Sequence, residues 1–359
     1  MRQIATLLSC CSCLLLSLAG CKGTKTSADS SGNEMAMQPV GPTFVADSAL
    51  LFCQQQCDFG PRTMNSDAHE LCGQWIAAKF RQYGLTVTEQ RATLTGYDGT
   101  ALRSTNIIAS YRPELTDRIL VCAHWDSRPW ADNDPVPANH RKPVLAANDG
   151  ASGVAVMLEI ARLLPTIPSA TDSVGQARRD TTEAPLRVGV DFICFDAEDW
   201  GTPQWEEERE YDSDTWALGA HYWAEHPHTD GYQARYGILL DMVGGQGARF
   251  CREIMSMHYA PGVVSKVWRA AEVIGYGSFF PNDKGGAITD DHLPVNRKAK
   301  IPCIDIIPYY ADCEASSFGP TWHTVNDDLA HLDKNTLQAV GQTLIQVLFS
   351  EKRSGTASE

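Results

Sequence analysis

An α/β fold with a largely parallel sheet is predicted for this chain by three observations. Short apolar runs with strand character alternate with helical runs through most of the sequence. No internal repeat or second composition shift interrupts that alternation. Acidic residues and histidines gather where the strand-like runs stop, which is where open α/β sheets collect their ligands.

Helical periodicity opens the ordered part of the chain in "DSALLFCQQQC" and "SDAHELCGQWIAAKFRQYG", the second closed by Gly84, a helix-stop residue. Strand-like runs follow in "LTVTEQRATL", "STNIIASYR" and "RILVCAHWD". From there the two types alternate. "ASGVAVMLEIARLL", "WALGAHYWAEH", "GVVSKVWRAAEVIG" and "NTLQAVGQTLIQVLF" read as helices, and "LRVGVDFICFDAED", "YGILLDMVG" and "KIPCIDIIPYY" as buried strands. Three long segments break the rhythm. Residues 164–186 read as a polar surface excursion, residues 200–216 mix three Trp with a dense run of carboxylates, and residues 308–325 carry aromatics into "PTWHT".

The N-terminus has a different character. Arg2 precedes the apolar run "IATLLSCCSCLLLSLAG", which is short for a membrane-spanning helix and suits a secretory signal. It ends in Leu18-Ala19-Gly20-Cys21, which resembles a bacterial lipobox and makes Cys21 the expected lipidated residue. The expected organisation is a lipoprotein signal over 1–21, a polar tether over 22–42, one catalytic α/β domain over 43–352 and a polar tail over 353–359. The expected location is the bacterial cell envelope, with the membrane contacted through the lipid alone.

Twelve cysteines fall to eight once Cys10, Cys11, Cys13 and Cys21 are set aside, and no CxxC or Cys/His spacing marks a thiolate metal site. An exported chain could oxidise some of the eight, with no pairing legible. A net charge of −14 lacks the basic footprint of a nucleic-acid partner.

The run "ICFDAEDWG" packs Asp196, Glu198 and Asp199 into four positions, a density of like charge that a cation would offset. Its other ligands can be sought where neighbouring strand-like runs end. "LVCAHWD" supplies His124 and Asp126, "AANDGASG" supplies Asp149 opening a helix, "LLDMVG" supplies Asp241 and "TWHT" supplies His323. Each residue alone reads as a cap or turn residue. Together they form an oxygen and imidazole donor set without thiolate, the chemistry of a catalytic zinc site.

The order His-x-Asp, Asp, Glu-Asp, Asp, His resembles the M28-type zinc aminopeptidases and their relatives, the animal-type glutaminyl cyclases, over about residues 45–350. The resemblance implies a three-layer α/β/α sandwich with a central mixed, mostly parallel sheet and one zinc at its carboxyl edge. The implied zinc ligands are Asp149, Asp199 and His323, and Glu198 is the implied general acid/base. His124 and Asp241 stand where the aminopeptidase branch places ligands for a second zinc. In a cyclase His124 would act from behind the ligands, and Asp241 would join Asp290 in an acidic chain around the transferred proton.

Three features lean toward the cyclases: Asp290 before Asp291-His292, Trp322 beside His323, and Trp205 shortly after Asp199. The stretch "FGPRTMNSDAHE" also looks like their bacterial members. On spacing alone, Trp322 and Trp205 read equally as packing residues, Asp290 as a helix cap, and Trp200 and Trp216 as rival pocket residues. Two departures stand out: Asp199 replaces the more common Glu, and Trp205 lies one residue late.

The expected function is zinc-dependent conversion of N-terminal glutamine in peptides or proteins to pyroglutamate with release of ammonia. Trp322 and Trp205 would then wall the substrate pocket. The alternatives are a two-zinc aminopeptidase and a non-catalytic ectodomain of the same fold.

Overall fold

The computed structural model describes residues 38–165, 186–206 and 215–352. The Cys21 lipobox, the tether up to residue 37, most of the 164–186 excursion and the 353–359 tail lie outside the described residues.

Six strands form one mixed sheet in the order β1-β2-β4-β3-β5-β6. β1 (Thr86–Thr95) and β2 (Ala101–Tyr111) make an antiparallel hairpin at one edge, and β2 pairs antiparallel with β4 (Gly189–Phe195). β4, β3 (Arg118–His124), β5 (Gly237–Leu240) and β6 (Cys303–Ile306) then run parallel, so their carboxyl ends share one edge. The resemblance-based expectation of a mixed, mostly parallel sheet therefore holds.

Strand alternation sorts the core into two layers. Ile119, Val121 and Ala123 of β3, with Val190, Phe192 and Cys194 of β4, face a large apolar layer. That layer is built with α1 (Ala46–Cys57), α2 (Asp67–Gln82), α3 (Ala151–Leu163), α6 (Pro261–Val273) and α8 (Lys334–Ser350). Leu120 and Cys122 of β3, Ile193 and Phe195 of β4 and Leu239 of β5 face a smaller layer. There α4 (Leu218–Glu225) contributes Trp223 and α7 (His292–Arg297) contributes Val295. The parallel strands are buried on both faces, which is why they read as continuous apolar runs. Short α5 (Ile254–Tyr259) and α7, each 6 residues, have too few turns to show a helical period in sequence.

Residues 38–42 correct the expected tether boundary. Gln346 of α8 accepts from the Val40 N–H at 2.8 Å and donates to the Gln38 carbonyl at 3.0 Å, while Gln342 donates to the Pro42 carbonyl at 3.2 Å. Two amides more than 290 residues away hold this stretch, a contact that local composition does not reveal. The eight cysteines are free thiols, all buried except the half-buried Cys313.

α3 brings Asp149 to the sheet by lying unusually close to it. A Cβ on Gly153 would strike the Leu240 carbonyl of β5 and come within 2.7 Å of the Ala123 Cβ on β3. Gly153→Ala is expected to cost about 1–3 kcal/mol through overpacking against backbone. The check is the denaturant midpoint of the purified protein against wild type.

Candidate metal and active site

The carboxyl edge of the sheet brings the dispersed donors together. His124 ends β3, Asp149 precedes the first turn of α3, Glu198 and Asp199 follow β4, and Asp241 follows β5. Asp290 lies ahead of α7, and Trp322-His323 sit in the loop between β6 and α8. Several of these loops hold a residue in left-handed backbone: Ala146 (φ +59°), Ala197 (φ +54°), Met242 (φ +50°) and His323 itself (φ +53°). Non-glycine residues accept that conformation where surrounding contacts enforce it, and such positions concentrate at functional sites.

Asp149 is the centre of the arrangement. Its Oδ1 lies 2.9 Å from His124 Nε2 and its Oδ2 lies 3.7 Å from His323 Nε2. His323 Nε2 is also 3.3 Å from Asp199 Oδ1, and His124 Nε2 is 3.3 Å from Asp241 Oδ1. Two donor groups therefore share Asp149: Asp149, Asp199 and His323 in one, and His124, Asp149 and Asp241 in the other. Buried Asp199 Oδ2 has no hydrogen-bond partner, as a ligand atom reserved for a cation would not. Carboxylate and imidazole donors beside an open cavity suit a catalytic zinc ion, so the residues fit the cofactor expected from sequence.

The cavity beside these donors has a volume of about 240 Å³. Asp149, Glu198, Asp241, Asp290 and His323 supply its polar lining. Trp216, Met242, Ile288, Ile307, Phe318 and Trp322 supply its apolar wall. Trp322 stacks on His323 with ring centroids 3.8 Å apart, and Trp216 lies parallel to the same imidazole at 6.1 Å.

Trp205, expected as a pocket wall, is elsewhere. Its ring meets Trp130 edge-on at 5.8 Å and lies under the Arg141 guanidinium at 3.8 Å. Trp216, one of the rival residues, takes the pocket position. Sequence spacing could not separate them, because what distinguishes their places is cation–π and stacking contacts with distant residues.

Burial sets the electrostatics. It raises the Glu198 carboxyl well above the usual range, with the charges of Asp199, Asp290 and Asp291 adding and His124 opposing. Burial and the neighbouring Asp241 raise Asp290 to about 7. Burial also raises Asp241 to about 6, against the His124 contact. Asp290 is not the cap of α7: Asp291 occupies that position, and its N–H donates to Asp290 Oδ1 at 2.5 Å. Asp290 also joins His292 and Asp305 in a third buried donor group that the sequence did not expose.

Other residues hold the loops. Asp126, one of the metal-competent residues after β3, accepts the N–H groups of Glu198 and Asp199, each at 3.1 Å. Asp327 accepts those of Asn148 and Asp149 at 2.7 and 3.0 Å. The "FGPRTMNSDAHE" stretch braces the same edge. Buried Arg62 donates to the Leu145 and Ala146 carbonyls, both at 2.7 Å, ahead of Asp149. His69 meets Asp196 at 2.8 Å, which gives Asp196 a structural place apart from the donors.

The chain belongs to peptidase family M28, whose model matches residues 106–348. Among solved structures it is similar to the Bacteroides thetaiotaomicron glutaminyl cyclase bound to N-acetylhistamine, at 48% identity. That match covers 87% of this chain and 100% of the other, with a TM-score of 0.79. A leucine aminopeptidase precursor from the same organism also matches at 48% identity over 87% of this chain and 99% of that one, with a TM-score of 0.77. Bothrops jararaca glutaminyl-peptide cyclotransferase is 25% identical over 261 residues, 68% of this chain and 65% of that protein. The chain spans between 50% and 65% of the length of the first curated relatives it matches.

The placement of the two Trp residues gives a direct comparison. Trp216→Ala is expected to raise KM several-fold, whereas Trp205→Ala leaves KM within about two-fold, since only Trp216 lines the cavity. Steady-state kinetics on one substrate, with zinc content measured alongside, makes the comparison.

Proposed function

We propose that this chain is a zinc-dependent glutaminyl-peptide cyclotransferase that converts N-terminal glutamine of peptides or proteins to pyroglutamate and releases ammonia. The observation that carries the reading is the cavity. It unites a buried, proton-retaining Glu198 and two further acids with a donor set and an aromatic wall, in a volume suited to one residue.

The α-amino nitrogen of the substrate attacks its own side-chain amide carbon. The new carbon–nitrogen bond closes a five-membered lactam, the original amide bond breaks and ammonia leaves. Asp149, Asp199 and His323 would hold one zinc per chain. When bound there, zinc supplies Lewis-acid polarisation of the amide carbonyl. Glu198 takes the proton from the attacking amine and returns one to the departing nitrogen, a role suited to a carboxyl whose proton affinity is raised. Asp290, on the same cavity, adds negative charge that sustains that affinity, and Asp241 in turn raises the proton affinity of Asp290. His124 orients Asp149 from behind through the 2.9 Å contact. Trp322 and Trp216 hold the short side chain bent toward its own amine, so part of the rate comes from orientation.

The second reading is an aminopeptidase with two zinc ions, favoured by the donor group His124, Asp149 and Asp241. Metal analysis and product identification separate the two. Ammonia release and a loss of about 17 Da from a Gln-initiated peptide, stopped by a chelator, support the cyclase. Two metals per chain and release of a free amino acid support the aminopeptidase.

The proposed location is the bacterial cell envelope, reached by lipidation at Cys21; the tetrapeptide Leu18-Ala19-Gly20-Cys21 supports it. Peptide and protein N-termini are the proposed partners, and the net charge of −14 speaks against nucleic acid.

Glu198→Gln is expected to lower kcat by about 10²–10⁴-fold with zinc retained. The acid limb of kcat/KM should lie above the ordinary carboxylate range, because Glu198 must lose its proton to act and burial raises its pKa. Asp290→Asn removes a neighbouring negative charge that favours the protonated form, so the limb should move to lower pH. A pH–rate series on both proteins reads the shift, and an unmoved limb would detach Asp290 from Glu198.

A further inference from the structure

We infer that Arg128 and Asp132 form a positioning pair that sets the affinity of the metal centre by fixing two of its three ligands, Asp199 and His323. The inference rests on the reading that Asp149, Asp199 and His323 hold zinc, and it concerns residues whose role no sequence pattern indicated.

Arg128 is 1% exposed and its guanidinium is fully engaged. Nε and Nη2 make a two-pronged pair with Asp132 at 2.9 and 2.6 Å. Nη1 donates to the carbonyls of Asp199 and Gly201 at 3.1 and 3.2 Å and lies 3.5 Å from Asp199 Oδ1. Trp130 and Trp216 cover the guanidinium at 5.4 and 4.7 Å. Asp132, itself 3% exposed, turns Oδ1 toward His323 Nδ1 at 3.5 Å and accepts the Gln204 N–H at 3.0 Å. The next two residues complete a clamp. The Asn133 N–H donates to the His323 carbonyl at 3.0 Å, and Asp134 accepts the Val325 N–H at 3.1 Å.

A buried ion pair is poor evidence for stability alone, because desolvation cancels much of its attraction. This pair's contacts converge on ligands instead. Asp199 is held by Arg128 at its carbonyl and by Asp126 at its N–H, so its backbone is fixed on both sides. That fixation matters for an aspartate, whose short side chain has little reach to absorb a backbone shift. His323 sits at φ +53°, a strained backbone that the 132–134 segment restrains. A carboxylate behind a ligating imidazole fixes its tautomer and orientation, and losing such a partner costs about 10–100-fold in metal affinity.

The test uses the whole protein, stripped of metal, as wild type, Arg128→Gln, Arg128→Lys and Asp132→Asn. Zinc affinity is read by competition with a chromophoric chelator, and the thermal midpoint of each metal-free protein is recorded. Arg128→Gln should lose about 10–100-fold in zinc affinity and Asp132→Asn about 10-fold. Arg128→Lys should fall between wild type and Gln, since an ammonium keeps the charge without the planar fork. The Co²⁺-substituted Asp132→Asn protein should show an altered visible spectrum, reporting a turned His323. Should Arg128→Gln not fold, Asp132→Asn decides. Zinc affinities within two-fold of wild type in the folded variants overturn the inference, including where the midpoint falls, since that pattern marks a purely structural pair. A wild type that takes up no zinc overturns the metal-centre reading as well.

Discussion

Asp149, Glu198, Asp241 and Asp290 line one cavity, Asp132 and Asp199 are buried behind its His323, and the rest of the site is arranged around the electrostatic cost of that burial. The cost is met differently at each place. Asp132 faces a guanidinium, and Asp149 faces two imidazoles that hold its carboxyl below the usual range against the effect of burial. Glu198, Asp241 and Asp290 are opposed only in part by His124, so burial prevails and they hold protons more tightly. Asp149 is thereby kept ionised to bind a cation, while Glu198, Asp241 and Asp290 are kept able to carry a proton. Environment separates chemically similar carboxyls into two roles.

The same constraint explains why further acids serve as scaffold. Asp126 and Asp327 each accept two consecutive backbone N–H groups, those of 198–199 and 148–149. The loops that carry the donors are thus fixed through their backbones, which leaves the Asp149 and Glu198 side chains free to line the cavity and Asp199 free to face His323. The left-handed residues Ala146 and Ala197 lie just ahead of the positions held in this way.

Much of the edge chemistry was legible because parallel strands force it into register. His124, Glu198-Asp199 and Asp241 each follow an apolar run, and once those runs pair in parallel their ends meet. The topology itself, and the assignment of Asp149 and His323, came from the ordered motif. What escaped depends on contacts between distant segments. Arg128 sits in "WDSRPWADND", where nothing local distinguishes a buried fork from a solvated surface arginine. Trp216 and Trp205 belong to the same acidic stretch of sequence, and it is contacts with distant residues that distinguish them: Arg128 and His323 for Trp216 at the cavity, Arg141 and Trp130 for Trp205 away from it. The end of the tether escapes for the same reason, since Gln342 and Gln346 bind the backbone of a short Gln-Pro-Val-Gly-Pro stretch that carries no local sign of being held.

The shape of the cavity bears on the choice between the two chemistries this family supports. A peptidase must admit a water molecule, position it and expel an amine together with the rest of a chain. Cyclisation needs none of that, because the nucleophile and the leaving group belong to one residue. A volume of about 240 Å³, walled by Trp216, Phe318, Trp322 and Ile307, matches that smaller demand. An apolar wall also disfavours the water that would compete with the amine by hydrolysing the side-chain amide. His124 serves either chemistry. With its Nε2 turned to Asp149 at 2.9 Å and Asp241 at 3.3 Å, it offsets the charge of both carboxylates, and the same three residues form the donor group for a second ion. The apolar wall, and not this imidazole, therefore carries the choice between the two chemistries.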